Sequence, residues 1–166
     1  MAQLDVLLED DRWSALGLET ISHAACSAVL EHADLSQNFE ISVLGCDDLR
    51  ISQLNGAFRD KSEATNVLSW PSTARQATRD GGIPKPPDAS DPTQIELGDI
   101  AISFDTCARE SDAAGKPMVH HVTHLIVHGT LHLLGYDHIR DKDADRMEGL
   151  ERAILAKMGL PDPYSE

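Results

Sequence analysis

The feature that most constrains the fold is a helix-forming segment that carries several histidines and then stops at a glycine. Six of the eight histidines lie between residues 120 and 138, within and just after the segment 117–134. Four residues advance an α-helix by about 6 Å and one turn, so His128 and His132 project from the same face. Glycine tolerates a positive φ, and Gly135 therefore predicts that the helix ends there and that the chain turns back.

The turn at Gly135 allows His138 to supply a third nitrogen at the same point. Imidazoles placed in this way can reach one metal ion with bonds of about 2.0–2.1 Å. Three protein ligands leave the fourth tetrahedral position open for water, as in a catalytic zinc site. We therefore predict that His128, His132 and His138 bind one zinc ion. His124 lies one turn before His128, and it is either a second functional residue or an ordinary polar side chain.

The same spacing occurs in the metzincin peptidases, whose pattern is H-E-x-x-H-x-x-G-x-x-H. These peptidases use the glutamate at the second position as general base for the attacking water. The chain has Gly129 at that position, and glycine cannot accept a proton. A zinc metallopeptidase is therefore the weaker alternative, because peptide hydrolysis would need a base from elsewhere.

The rest of the sequence alternates short strand patterns with helical ones. The segment 71–95 contains five prolines, which predicts an irregular loop of unusual length. The pieces on either side are too small to bury separate cores, so we predict a single domain over 1–166 with 71–95 as a loop insertion. The predicted strands are 3–8, 39–43, 66–70 and 97–103, and the predicted helices are 15–33, 47–58, 104–114, 117–134 and 141–158.

The charge is unevenly distributed along the chain. The formal net charge of −14 excludes a uniformly basic nucleic-acid coat. Residues 50–85 nevertheless hold six basic and three acidic side chains, a net charge of +3. Arg59 belongs to this segment, and its guanidinium could hold two phosphate oxygens. A surface arginine at a helix end would have the same sequence pattern.

The compartment is indicated by the cysteines and by the N-terminus. Cys26, Cys46 and Cys107 form no C-x-x-C pair, which favours reduced thiols over a disulfide framework. The first residues carry acids and no basic region, unlike a signal peptide, and no apolar run of 18 residues occurs. We therefore expect a cytoplasmic protein without a membrane partner.

Segment 128–138 has the pattern H-G-x-L-H-L-x-G-Y-D-H and resembles the signature of the YbeY family of metal-dependent endoribonucleases. Three further motifs resemble those of the family, namely L-N-G-A-F-R at 54–59, T-N-V-L-S-W at 65–70 and L-G-D-I-A-I-S at 97–103. The chain departs from the family in having Asn66 where aspartate is usual and a longer loop at 71–95.

The resemblance implies an α+β fold in which helices pack a small mixed sheet and the metal-binding helix lies across it. It also implies a single-strand-specific endoribonuclease that holds one zinc ion and processes the 16S rRNA 3′ end. The implied partners are ribosomal RNA and the ribosome or its small subunit, with a role in ribosome quality control and no DNA substrate. By resemblance His128, His132 and His138 are the metal ligands, and we take Arg59 and His124 as candidate catalytic residues. The alternative is a non-catalytic ribosome assembly factor that the metal stabilises, because the sequence offers no evident general base.

Overall fold

A four-stranded mixed β-sheet forms the centre of the molecule. The computed structural model describes residues 2–59 and 63–165. Its strands are β1 (Gln3–Leu8), β2 (Glu40–Cys46), β3 (Val67–Pro71) and β4 (Glu96–Ser103). Their spatial order is β1-β2-β4-β3, in which β1, β2 and β4 are parallel and β3 runs antiparallel to β4. The strand β3 therefore forms one edge of the sheet.

Six α-helices connect and cover these strands within the described residues. They are α1 (Arg12–Leu16), α2 (Leu18–His32), α3 (Asp48–Arg59), α4 (Phe104–Ala114), α5 (Met118–Leu133) and α6 (Asp141–Lys157). The α+β class and the order of strands and helices are confirmed. Two elements differ by more than a residue or two. Strand β2 extends to Cys46, three residues beyond the predicted end, and the single helix predicted over 15–33 is divided at Gly17. This residue adopts a φ of 86°, which ends α1 before α2 begins.

The main core lies between the sheet and helices α2 and α5. Ile100 and Ile102 of β4 belong to this core, together with Ile126 of α5. Ala101 lies between the two isoleucines in the chain, and it packs instead into a smaller cluster with Ile51 of α3. Successive side chains of β4 therefore bury on opposite faces of the sheet, as the strand period requires.

The three cysteines are all buried and none forms a disulfide. Burial raises the pKa of Cys26 and of Cys46 to about 12, so these thiols are protonated at neutral pH. Among the described residues, no helix has the length and apolar character needed to span a bilayer.

Candidate metal centre and cleft

Three of the predicted site residues come together at the end of α5. His128 and His132 lie one turn apart on the helix, and their Nε2 atoms are 3.1 Å apart. His138 follows the turn, and its ring centroid lies 5.2 Å from that of His128 and 5.1 Å from that of His132. One nitrogen from each ring can be chosen so that all three lie within 4.8 Å of one another. This group could therefore hold a metal ion.

The hydrogen bonds of His132 leave its Nε2 atom available as a ligand. Its Nδ1 atom donates to the carbonyl of Tyr136 at 2.9 Å. Burial and the neighbouring rings of His128 and His138 lower the pKa of His132 to about 4, so this imidazole is neutral at pH 7. Two ligands of one tetrahedral zinc ion have nitrogens roughly 3.3 Å apart, given bonds of about 2.0–2.1 Å. The observed 3.1 Å separation fits that geometry.

A glycine-dependent turn carries the chain from His132 to His138. Gly135 has a φ of 104°, in the range that favours glycine. Its N–H donates to the carbonyl of His132 at 3.0 Å, and the N–H of Tyr136 donates to that of Leu131 at 3.1 Å. These two bonds form a Schellman motif, which ends α5 and satisfies its terminal carbonyls. The helix end predicted at Gly135 is confirmed.

A buried carboxylate lies behind His128. Glu151 of α6 is fully buried, and its Oε1 atom accepts hydrogen bonds from His124 Nε2 at 2.5 Å and from His128 Nδ1 at 3.3 Å. The hydroxyl of Tyr164 donates to the same carboxylate at 2.9 Å. Burial alone would raise the pKa of Glu151, but hydrogen bonds from the two histidines lower it to about 2. The sequence interpretation missed both Glu151 and Tyr164.

The three histidines open into a cleft of about 1000 Å³. Edge strand β3 and the residues that precede it also line this cleft. Asn55 of α3 also lines the cleft, and Arg59 is the last residue of the same helix. The side chain of Arg59 lies outside the described part of the chain. His124 lines a separate cavity of about 230 Å³ and contacts the site through Glu151.

The long loop packs against the metal-binding turn. Arg75 is buried, and its Nη1 atom donates to the carbonyl of Leu133 at 3.0 Å, at the end of α5. A neighbouring side chain, Gln76, donates to Asp137 at 3.3 Å. Asp137 in turn accepts a hydrogen bond of 2.7 Å from the backbone N–H of His138. The loop therefore supports the segment that carries the third histidine.

The start of α6 fixes the loop at a second place. Arg140 donates to the carbonyls of Ala77 at 2.8 Å and of Thr78 at 3.1 Å. Asp143 accepts a hydrogen bond of 2.8 Å from the N–H of Gly81. Between β3 and β4 the loop has no regular secondary structure apart from a short 3-10 helix at Pro92–Gln94. These contacts, which join residues 62 or 63 positions apart, have no local sequence signal.

The basic residues of segment 50–85 that the structure describes are not all exposed and unpaired. Arg75 lines the cleft but is buried, and its Nη1 atom donates to the carbonyl of Leu133 at the end of α5. Arg50 forms an ion pair with Glu9, with 3.2 Å between Nε and Oε1. Arg79 and Lys85 are exposed. The net charge of the segment therefore overstates the positive charge that its described residues offer to a polyanion.

Gly129 faces the sheet and not the cleft. A Cβ atom at this position would lie 3.3 Å from Cδ1 of Ile100 on β4. The absence of a side chain therefore allows the close packing of α5 on the sheet. The side chain of a glutamate at this position would begin in contact with the apolar side chain of Ile100. This argues further against a peptidase of the H-E-x-x-H type.

Comparisons with known proteins agree with the motifs. Residues 7–159 match the family model described as Endoribonuclease YbeY. Proteins with that name from Ruegeria sp. and Ruegeria pomeroyi are 55% and 56% identical to the chain, over 97% and 98% of its length and 95% and 98% of theirs. The solution structure of TM1509 from Thermotoga maritima has the same fold, with a TM-score of 0.56 and 17% identity over the whole of both chains. The chain therefore belongs to the YbeY endoribonuclease family.

Proposed function

We propose that the chain is a zinc-dependent endoribonuclease that cleaves single-stranded RNA. The observation that carries this proposal is the pair of half-buried imidazoles whose Nε2 atoms lie 3.1 Å apart in the wall of an open cleft. Its membership of a family named for endoribonuclease activity supplies the substrate class. We further propose the finer role that the resemblance implies, namely 16S rRNA 3′-end maturation and ribosome quality control in the cytoplasm.

The residues of the centre are suited to a catalytic metal. A zinc ion held by His128, His132 and His138 would lower the pKa of a bound water towards about 7 and polarise a phosphoryl oxygen. The carbonyl of Tyr136 and the carboxylate of Glu151 accept from the Nδ1 atoms of His132 and His128, which orients both rings with Nε2 towards the centre. The cleft beside the rings is large enough for a nucleotide chain.

The most direct test compares three substrates under one set of conditions. Zinc-loaded protein should cleave a single-stranded RNA oligonucleotide, and it should leave casein and a DNA oligonucleotide of the same sequence intact. Removal of the metal with a chelator should reduce RNA cleavage to background, and added zinc should restore it. Casein cleavage would instead support the peptidase alternative. Binding of ribosomal RNA or the small subunit without cleavage would support the assembly-factor alternative.

We assign Arg59 to the binding of the phosphate on which negative charge increases during cleavage. Substitution Arg59→Ala should lower RNA cleavage roughly 100-fold, the typical loss when one charge-stabilising donor is removed. It should also lower the salt dependence of RNA binding by about 0.7 in log–log slope, since one phosphate contact to a single strand is lost. Cleavage rates and binding constants measured over a range of salt concentrations provide the check.

The control for this variant is Arg12→Ala. Arg12 forms ion pairs with Asp10 at 2.6 Å and with Asp105 at 2.8 Å, in the acidic N-terminal part of the chain. Such exposed ion pairs contribute little to stability. We expect cleavage within about twofold of the wild type at a similar melting temperature. Equal losses in the two arginine variants would show that Arg59 has no special role.

A further inference from the structure

Glu151 is a buried charged residue that has no direct part in the proposed reaction. Its side chain is only 1% exposed, on the face of α6 that also carries Met147 and Ile154. Burying a carboxylate costs several kcal/mol unless hydrogen bonds replace the lost water. Three donors surround this carboxylate, namely His124 Nε2, His128 Nδ1 and the hydroxyl of Tyr164.

The contact with His128 connects this carboxylate to the metal centre. A carboxylate is an acceptor only, so the proton of His128 must lie on Nδ1, which leaves Nε2 as a bare lone pair. That Nε2 atom is the one that lies 3.1 Å from Nε2 of His132. Carboxylates behind metal-binding histidines fix the tautomer and the ring orientation of the ligand, and they raise its basicity.

The C-terminal residues hold the carboxylate in place from the other side. The hydroxyl of Tyr164 lies 2.9 Å and 3.0 Å from the two oxygens of Glu151. Arg152 packs over the tyrosine ring, 5.2 Å from its centroid, and forms an ion pair of 3.3 Å with Asp162. Lys116, which follows α4, donates to the carbonyl of Pro163 at 3.0 Å. The last residues are therefore attached to the body of the protein at several points.

We infer that Glu151 is a positioning residue for the metal ligand His128, and that His124 and the C-terminal Tyr164 hold Glu151 in that role. The inference rests on the metal centre of the proposed function. It gives His124 a task through Glu151, since His124 lies beside the carboxylate and lines a cavity other than the cleft. It also makes Tyr164 part of the metal site, although this residue is 26 positions from His138 in the sequence.

The test measures zinc affinity by competition with a chromophoric chelator, independently of RNA cleavage. Glu151→Gln retains the size of the side chain and loses the second acceptor and the charge. We expect it to bind zinc about 10- to 100-fold more weakly than the wild type. Tyr164→Phe removes only a hydroxyl from a partly exposed ring, and we expect a loss of about fivefold. In nitrogen-15 NMR spectra of the metal-free protein, His128 should change from the Nδ1–H tautomer to a mixture of tautomers in Glu151→Gln.

The matched control is Glu110→Gln. Glu110 also pairs with a histidine of α5, at 2.9 Å from Nε2 of His121, but this histidine is not one of the three in the cleft. Its zinc affinity should equal that of the wild type. The inference is overturned if Tyr164→Phe and folded Glu151→Gln both bind zinc within twofold of the wild type, or if Glu110→Gln loses as much affinity. Zinc binding by a wild type that cleaves no RNA would overturn the proposed function and leave this inference intact, whereas a wild type that binds no zinc would overturn both.

Discussion

The double substitution His128→Ala/His132→Ala is expected to remove the bound metal and to abolish RNA cleavage. The wild type should contain about one zinc per chain by elemental analysis, as three converging histidines imply. Loss of a single partner behind a ligand weakens metal binding by about 10- to 100-fold, so loss of two ligands should exceed 100-fold. Cleavage should then fall to background even with micromolar zinc in the assay.

The matched control removes two other histidines from the same helix. His120 and His121 lie on the first turn of α5, and His121 pairs with Glu110 rather than with the centre. The variant His120→Ala/His121→Ala should retain one zinc and most of its activity. If both double variants keep the same metal content, the histidines of the cleft do not form the metal site.

The parts of the site that could be predicted from the sequence are those within one local segment. A spacing of four residues on a helix fixes the relation of His128 to His132 without reference to the rest of the fold. Gly135 similarly predicts the turn that carries His138, because few other residues adopt a φ near 104°. Local geometry therefore predicts that the three histidines form a group, without reference to residues elsewhere in the chain.

The carboxylate behind His128 could not be found in this way, because it comes from a different helix 23 positions later. A weaker signal was nevertheless present in α6. Glu151 follows Met147 by four residues and precedes Ile154 by three, so it lies on the apolar face of that helix. An acidic residue on a face that is otherwise buried indicates a charge with buried partners.

Net charge was a poorer guide than helical spacing. Residues 50–85 are positive in the sequence, yet the fold uses Arg75 to bind the end of α5 and pairs Arg50 with Glu9. A count of charges along the chain cannot distinguish an arginine that caps a helix from one that faces a substrate. The division of the helix predicted over 15–33 could not be predicted for another reason. A glycine within a helical pattern is usually tolerated, so Gly17 alone does not indicate a break.

The second large effect is expected from Gly135→Ala, at the turn between two of the histidines. A Cβ atom here would lie 2.7 Å from the backbone carbonyl carbon and oxygen of Arg75, closer than real Cβ atoms approach. The positive φ adds strain of about 1–3 kcal/mol for a residue with a side chain. Together these costs should lower the free energy of unfolding by about 3 kcal/mol and the melting temperature by about 10 °C.

Gly135→Ala should also weaken zinc binding. The clash with Arg75 can be relieved only by a shift of Arg75 or of the turn that carries His138. Gly115→Ala is the control that separates backbone strain from the clash with Arg75. Gly115 ends α4 with a φ of 65°, and a Cβ atom added there would meet open space. This control should lose only about 1 kcal/mol from backbone strain and keep its zinc affinity. Thermal unfolding and chelator competition on both variants measure the difference. Equal destabilisation with unchanged zinc binding would mean that the contact between Gly135 and Arg75 has no part in holding His138.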